Sequence, residues 1–194
     1  MKKEDLRVTK TKDSIKISFI ELVRKKGYNK VSVTDIVSKA NINRNTFYLH
    51  YEDKEDLIKK LIDESAQRIE KRLKVIDFLK MTTFSNISET QIRWGLRGIL
   101  KIMEDEMDFY RMILLDDSLK GYLDKIFDII TAHLSILLEV SNPSSKLVFE
   151  YTMSGIFGTT RKWIKEPNTS ASETARVLAQ LSYAGLLKFK NINN

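Results

Sequence analysis

Between positions 44 and 50 the chain reads Arg44, Asn45, Thr46, Phe47, Tyr48, Leu49, His50, a run whose side chains can read one edge of a base pair and hold a duplex backbone. An asparagine amide pairs with an adenine edge through two hydrogen bonds, a threonine or leucine methyl can touch a thymine methyl, and tyrosine and histidine can bond phosphate oxygens. On a helical wheel with Phe47 pointing inward, Tyr51 falls about 40° away, so these two rings anchor the segment. Asn45 and Leu49 then lie roughly opposite, with Thr46 and Tyr48 on the flanks. The plainer alternative is an ordinary solvated helix, and for Leu49 packing competes closely with base contact.

The elements that must position this face lie on either side of it. Ser32 opens a short helix, its hydroxyl capping free N–H groups while Asp35 complements the helix dipole. Val33, Ile36, Val37 and Ala40 form its apolar face. Asn41 follows as the stop, being the non-glycine residue that best tolerates a left-handed backbone, and Ile42 plugs the turn. A second helix runs from Asn43 or Arg44 to about Tyr51. Two short helices joined by a tight polar turn over residues 33–52 make a helix-turn-helix, a motif that reads DNA. Lys54 starts the next helix behind an Asp53 cap, where a cation opposes the dipole unless a phosphate sits there; chance placement is the competing explanation. The candidate DNA contacts are therefore Ser32, Thr34, Arg44, Asn45, Thr46, Tyr48, Leu49, His50 and Lys54.

These residues resemble the TetR family of bacterial regulators. The likeness rests on an amphipathic first helix ending in Lys26-Gly27-Tyr28, on S-V-T-D-I-V-S-K-A-N-I-N-R-N-T-F-Y-L-H-Y, and on the K-E-D-L that opens a long fourth helix. It covers about a third of the chain. Asn41 stands where the family usually has glycine and Asn43 where Ser or Thr is common, and both suit those backbone positions. A weaker likeness, F-E-Y-T-M-S-G-I-F-G-T-T-R-K-W-I-K-E at 149–166, extends to a subgroup with an aromatic-rich penultimate helix. The resemblance implies an all-α fold of about nine helices. Residues 1–60 would form the DNA-binding domain and 61–194 a helical body for effector binding and dimerisation. It also implies release of DNA when a small molecule reshapes that body.

Composition sets the bounds. The 194 residues contain no cysteine, which excludes disulfides and thiolate metal sites. No stretch approaches a membrane span and no signal peptide is legible, so the cytoplasm is the expected compartment. Residues 1–60 carry 15 Lys and Arg against 9 Asp and Glu, leaving 18 against 17 for the remainder. The basic surplus belongs to the DNA-binding third. Lys2, Lys3, Arg7, Lys10 and Lys12 read either as an arm against phosphate or as a solubilising tail. Scarce glycine, prolines only at 143 and 167, and the absence of period-two alternation predict helices throughout. They fall near 12–26, 54–80, 88–106, 107–115, 117–140, 144–165 and 172–190, besides the two of the motif. Helix 54–80 is the expected link between the halves.

The body carries large adaptable side chains that read either as plain core or as an effector cavity for a small apolar or aromatic molecule. The cavity set is Trp94, Met103, Phe109, Met112, Phe127, His133 and Tyr151, with His133, Arg97 or Glu150 as polar anchors. A twofold-symmetric site needs two recognition helices about 34 to 36 Å apart, so a homodimer is expected. The last two helices supply its interface through Met153, Phe157, Ile164, Leu178, Leu181 and Leu187, with Gly155 and Gly158 permitting close approach.

No catalytic residue, metal or cofactor is expected. Phosphate-loop glycines are absent, the two histidines, His50 and His133, are isolated, and the acidic run Glu104, Asp105, Glu106 and Asp108 reads as a solvated face. Two function classes remain. One is a ligand-responsive repressor bound to a palindromic operator as a homodimer. The other is a co-regulator or activator whose body docks a partner protein. A closed apolar cavity favours the first; a filled core with an exposed apolar groove favours the second.

Overall fold

A computed structural model describes the backbone of residues 3–78, 87–138, 140 and 142–192, and their side chains except at 3–5, 76–78 and 186–192. Lys2 and the Leu187 side chain, both named above, lie outside the described residues. The protein is all-α. Among the described residues there is no strand, and no helix is long and apolar enough to cross a membrane.

Helix α1 (Lys3–Lys26) turns through a short 3-10 segment into α2 (Val33–Lys39) and α3 (Arg44–Tyr48), and α4 (Lys54–Phe78) leads away from them. The first helix begins some nine residues before the expected position near 12. Nothing between Lys3 and Lys12 breaks a helix, and Thr11 Oγ1 bonds the Arg7 carbonyl within that added stretch, so the basic arm is a helical extension. Ile15, Phe19 and Val23 of α1 close with Ile36, Phe47, Tyr51 and Leu57 into one buried cluster. Gly27 ends α1 at φ 81°, a left-handed conformation that glycine takes without steric cost.

The body comprises α5 (Glu89–Asp105), α6 (Met107–Leu115), α7 (Lys120–Leu137), α8 (Pro143–Lys165) and α9 (Ala171–Ile192). Caps mark their starts: Ser88 and Gln91 form a reciprocal capping box on α5, and the Asn142 side chain accepts from Ser145 N behind a first-turn proline on α8.

Helix α4 is not the sole bridge between the two halves. Of the acidic run expected to be solvated, Asp105 and Asp108 are exposed, whereas Glu106 is partly buried between α1 and α4. Glu106 pairs with both Lys16 of α1 and Arg68 of α4, and Arg24 reaches Asp108 at 2.5 Å. Tyr28 N donates to Asp116 at 2.7 Å and Asn29 to Ser118 at 3.0 Å. Between α4 and α6 the hydroxyls of Ser65 and Tyr110 meet at 2.6 Å, both fully buried. Sequence spacing cannot reveal this, because each pair joins residues 38 to 90 positions apart.

Candidate nucleic-acid interface and effector cavity

The turn between α2 and α3 is built from local chemistry. Ser32 Oγ accepts from Asp35 N at 3.2 Å while the Asp35 carboxylate accepts from Ser32 N at 2.8 Å and from its hydroxyl at 2.6 Å. Lys26 of α1 adds an ion pair at 2.8 Å. The hydrogen bond from Lys26, then those from Ser32, hold the Asp35 carboxyl well below its ordinary value of 3.8. A depressed folded-state pKa means that Asp35 stabilises the fold above its unfolded pKa and loses that contribution as pH falls through the folded value. The wild-type melting temperature is therefore expected to fall more steeply than that of Asp35→Asn as pH drops below about 4. Parallel curves from thermal denaturation would contradict this assignment.

Asn41 takes φ 52°, the one positive value at a non-glycine position among the described residues, and so ends α2 as its side chain allows. Asn43 then caps α3, its side-chain oxygen accepting from Asn45 N at 2.9 Å. Phe47 and Tyr51 are buried, their ring centroids 5.6 Å apart, which turns the other face outward. Regular helix ends at Tyr48, short of the expected Tyr51, although Tyr51 N still bonds the Phe47 carbonyl at 3.0 Å. Lys60 of α4 holds that last turn by donating to the His50 carbonyl at 3.0 Å, a positioning contact with no signal in the sequence.

The face left outside contains Arg44, Asn45, Tyr48 and Leu49. Leu49 is 79% exposed, so packing within the protomer does not account for it. Arg44 lies along Tyr48, donating to its hydroxyl through Nε at 3.3 Å and Nη2 at 3.1 Å. Thr46 and His50 are partly covered, and Thr34 is exposed on α2. Burial first, then Lys12 and Lys60, lowers the His50 pKa below its ordinary 6.5. Two candidates are already engaged. The Ser32 hydroxyl belongs to the capping box, and Lys54 donates to the Tyr28 carbonyl at 3.1 Å with its ammonium 4.4 Å from the Tyr28 ring centroid. The unfavourable charge at the start of α4 is thus met within the protein, and Lys54 ties α4 to the turn after α1.

In the body, α5, α7 and α8, with Ser182 of α9, line a half-open apolar pocket of about 90 Å3. Of the seven cavity candidates only Met103 and Phe127 line it. Phe109 and Met112 are buried core elsewhere, Trp94 is covered by the Arg72 guanidinium 3.6 Å from its ring centroid, and His133 does not border the space. Tyr151 is 81% exposed. The choice by residue size failed because α8 turns its larger ring outward and its Thr152, Ile156 and Thr160 inward. Neither Arg97 nor Glu150 borders the cavity; both are exposed. The lining missed by sequence reading includes Gln91, Gly95 and Ile99 on α5 with Ile130 and Leu134 on α7, whose helical spacing is the only signal and is shared with ordinary core.

The interface candidates divide in the same way. Met153, Ile164 and Leu178 are buried within the protomer, and Phe157 stacks on Phe127 with centroids 4.2 Å apart at the cavity wall. Met153, Ile164 and Leu178 thus spend their apolar surface inside the protomer, while Phe157 stays half-buried. Of the predicted set Leu181 is exposed, and with it the outer side of α8 and α9 presents Leu147, Tyr151 and Val177, beside Gly155, Gly158 and Gly185, none of which has a neighbour where a Cβ would stand. The most apolar stripe of each helix covers its own core, so the outer stripe is the smaller and more mixed one.

A tri-helical unit with an outward recognition helix, carried on a larger helical body, defines a helix-turn-helix protein. Residues 20–61 match the model of the family described as bacterial regulatory proteins, tetR family. It is similar to the uncharacterized HTH-type transcriptional regulator YxbF of Bacillus subtilis (strain 168), 38% identical over 69 residues, which are 35% of this chain and 18% of that protein. The match thus spans less than a fifth of that relative's length. The fold is similar to that of a TetR-like transcriptional regulator from Rhodococcus sp. RHA1, with TM-score 0.66 and 19% identity over 92% of this chain and 94% of that one. It is also similar to the dihydroxyacetone kinase operon activator DhaS, with TM-score 0.62 and 19% identity over 92% and 97% of the two chains.

Proposed function

We propose that the protein is a ligand-responsive transcriptional repressor that binds a palindromic operator as a homodimer in the cytoplasm and has no enzymatic activity. Residues 1–60 form its DNA-binding domain, and residues 61–194 its effector-binding and dimerisation domain. The observation that carries the reading is the outward set Asn45, Tyr48 and Leu49, backed by fully packed Phe47 and Tyr51. Such an arrangement offers base-reading groups on a rigid support. The half-open apolar pocket supports a small apolar effector, and the exposed α8 and α9 face supports a twofold contact. A co-regulator or activator is the second reading, supported by the structural likeness to DhaS, itself described as an operon activator.

Selection of bound sequences from a random DNA pool, followed by anisotropy titration, tests the assignment. Asn45→Ala is expected to lose about 1 to 3 kcal/mol on the selected site and to relax preference at one or two base pairs. Lys12→Ala, exposed on α1, should weaken all sequences alike because phosphate contact carries no base information. Altered base preference in Lys12→Ala with none in Asn45→Ala would overturn the placement of the recognition face. Transcription from a reporter carrying the selected site separates repressor from activator by the sign of the change.

A further inference from the structure

We infer that Arg44 reads a guanine in each half of the bound DNA site, and that the Tyr48 hydroxyl is the positioning group that aims its guanidinium. The inference rests on the DNA-binding reading above and names the base that one of its side chains selects.

Arg44 is the first residue of α3, directly after the Asn43 cap, and Tyr48 is the last. Residues four apart on a helix share a face, and the first residues of a recognition helix are the ones that meet base edges. Both side chains are exposed. The Tyr48 ring is braced from behind by fully buried Phe47, which it meets edge to face with centroids 5.6 Å apart. Its hydroxyl accepts from Arg44 Nε at 3.3 Å and Nη2 at 3.1 Å, and the guanidinium carbon stands 5.6 Å from the ring centroid. Nε and Nη2 make up the side edge of the guanidinium. The end edge, Nη1 with the second proton of Nη2, keeps two parallel donors free, and such a fork matches guanine O6 and N7.

Charge bookkeeping around the motif separates Arg44 from its basic neighbours. Lys26 pairs with Asp35, Lys39 with Glu21 and Lys60 with Asp56, so these three cations are met within the protein. Arg44 has no carboxylate partner among the described residues. What holds it instead is a neutral hydroxyl, which fixes direction without cancelling charge. An arginine restrained before binding loses less side-chain freedom on docking, and restraint is useful where a planar fork must meet two acceptors at once. A phosphate asks for less, since the point charge of a lysine serves there as well.

The test starts from the sequence that the full chain selects out of a random duplex pool. Each guanine of that site is replaced in turn, in both half-sites, by 7-deazaguanine, which pairs normally but lacks N7, and affinity is read by fluorescence anisotropy. The wild type is expected to lose at least about tenfold at one guanine position per half-site. Arg44→Lys, which keeps the charge but not the fork, should lose less than about twofold there while its salt dependence stays unchanged. Tyr48→Phe keeps the ring and should show a smaller loss than the wild type at that same position. Added to Arg44→Lys it should reduce the loss no further, a coupling that a merely structural tyrosine would not show. A site whose guanines all tolerate the replacement, or equal losses in the wild type and Arg44→Lys, overturns the inference and leaves DNA binding in place. Equal losses in the wild type and Tyr48→Phe overturn the positioning role. Failure to enrich any sequence overturns the DNA-binding reading and the inference with it.

Discussion

Raising salt from 50 to 200 mM is expected to weaken operator binding by at least about a thousandfold, because each neutralised phosphate adds about −0.9 to the log–log slope. The charge for this is local. Residues 1–60 hold 15 of the 33 basic residues against 9 of the 26 acidic ones, and a dimer presents them twice. Part of that surplus is consumed inside the protein: Lys16 on Glu106, Arg24 on Asp108 and Lys26 on Asp35. Lys10, Lys12, Lys25, Lys30 and Lys59 remain exposed, and no ion pair joins them to a described residue. A dimer therefore has about ten such lysines, enough for the six or more phosphate contacts that the thousandfold change requires. Fluorescence anisotropy of a labelled operator across a potassium chloride series measures the slope. A slope near zero would remove DNA binding from the proposed function.

Leu181→Glu is expected to turn the proposed dimer into monomer. Leu181 is 67% exposed in the protomer on the face shared by α8 and α9, and an interface around a twofold axis buries it on both subunits. An unpaired carboxylate buried there costs several kcal/mol per copy, so the dimer dissociation constant should rise by at least about three orders of magnitude. Tyr151→Glu, on the exposed face of α8, should act in the same direction. Phe157→Glu is unsuitable despite its apolar position, since Phe157 stacks on Phe127 and its replacement breaches the cavity. Sedimentation equilibrium at micromolar concentration reads the outcome as 22.6 kDa or twice that mass. Circular dichroism checks that the helices persist. Dimers undiminished in both variants would place the subunit contact on another face.

Features governed by neighbours within a few positions were legible in the amino-acid order. The Ser32 and Asp35 cap, the left-handed Asn41 stop, the Asn43 cap and the inward pair Phe47 and Tyr51 all follow from local preferences and contacts no more than four residues apart. Helical spacing and two prolines likewise set most helix limits in the body to within a few residues. Partners across the fold were not legible, because long-range docking chooses them. Lys54 looked free for phosphate until the Tyr28 carbonyl and ring came beside it. Glu106 looked solvated until Lys16 of α1 and Arg68 of α4 docked on it. In α8 the spacing marks an apolar stripe but cannot say whether that stripe meets its own core, a cavity or a second subunit, because all three demand the same residue types. The packing of α8 against α6, α7 and α9 made the choice, turning Thr160 inward and Tyr151 outward.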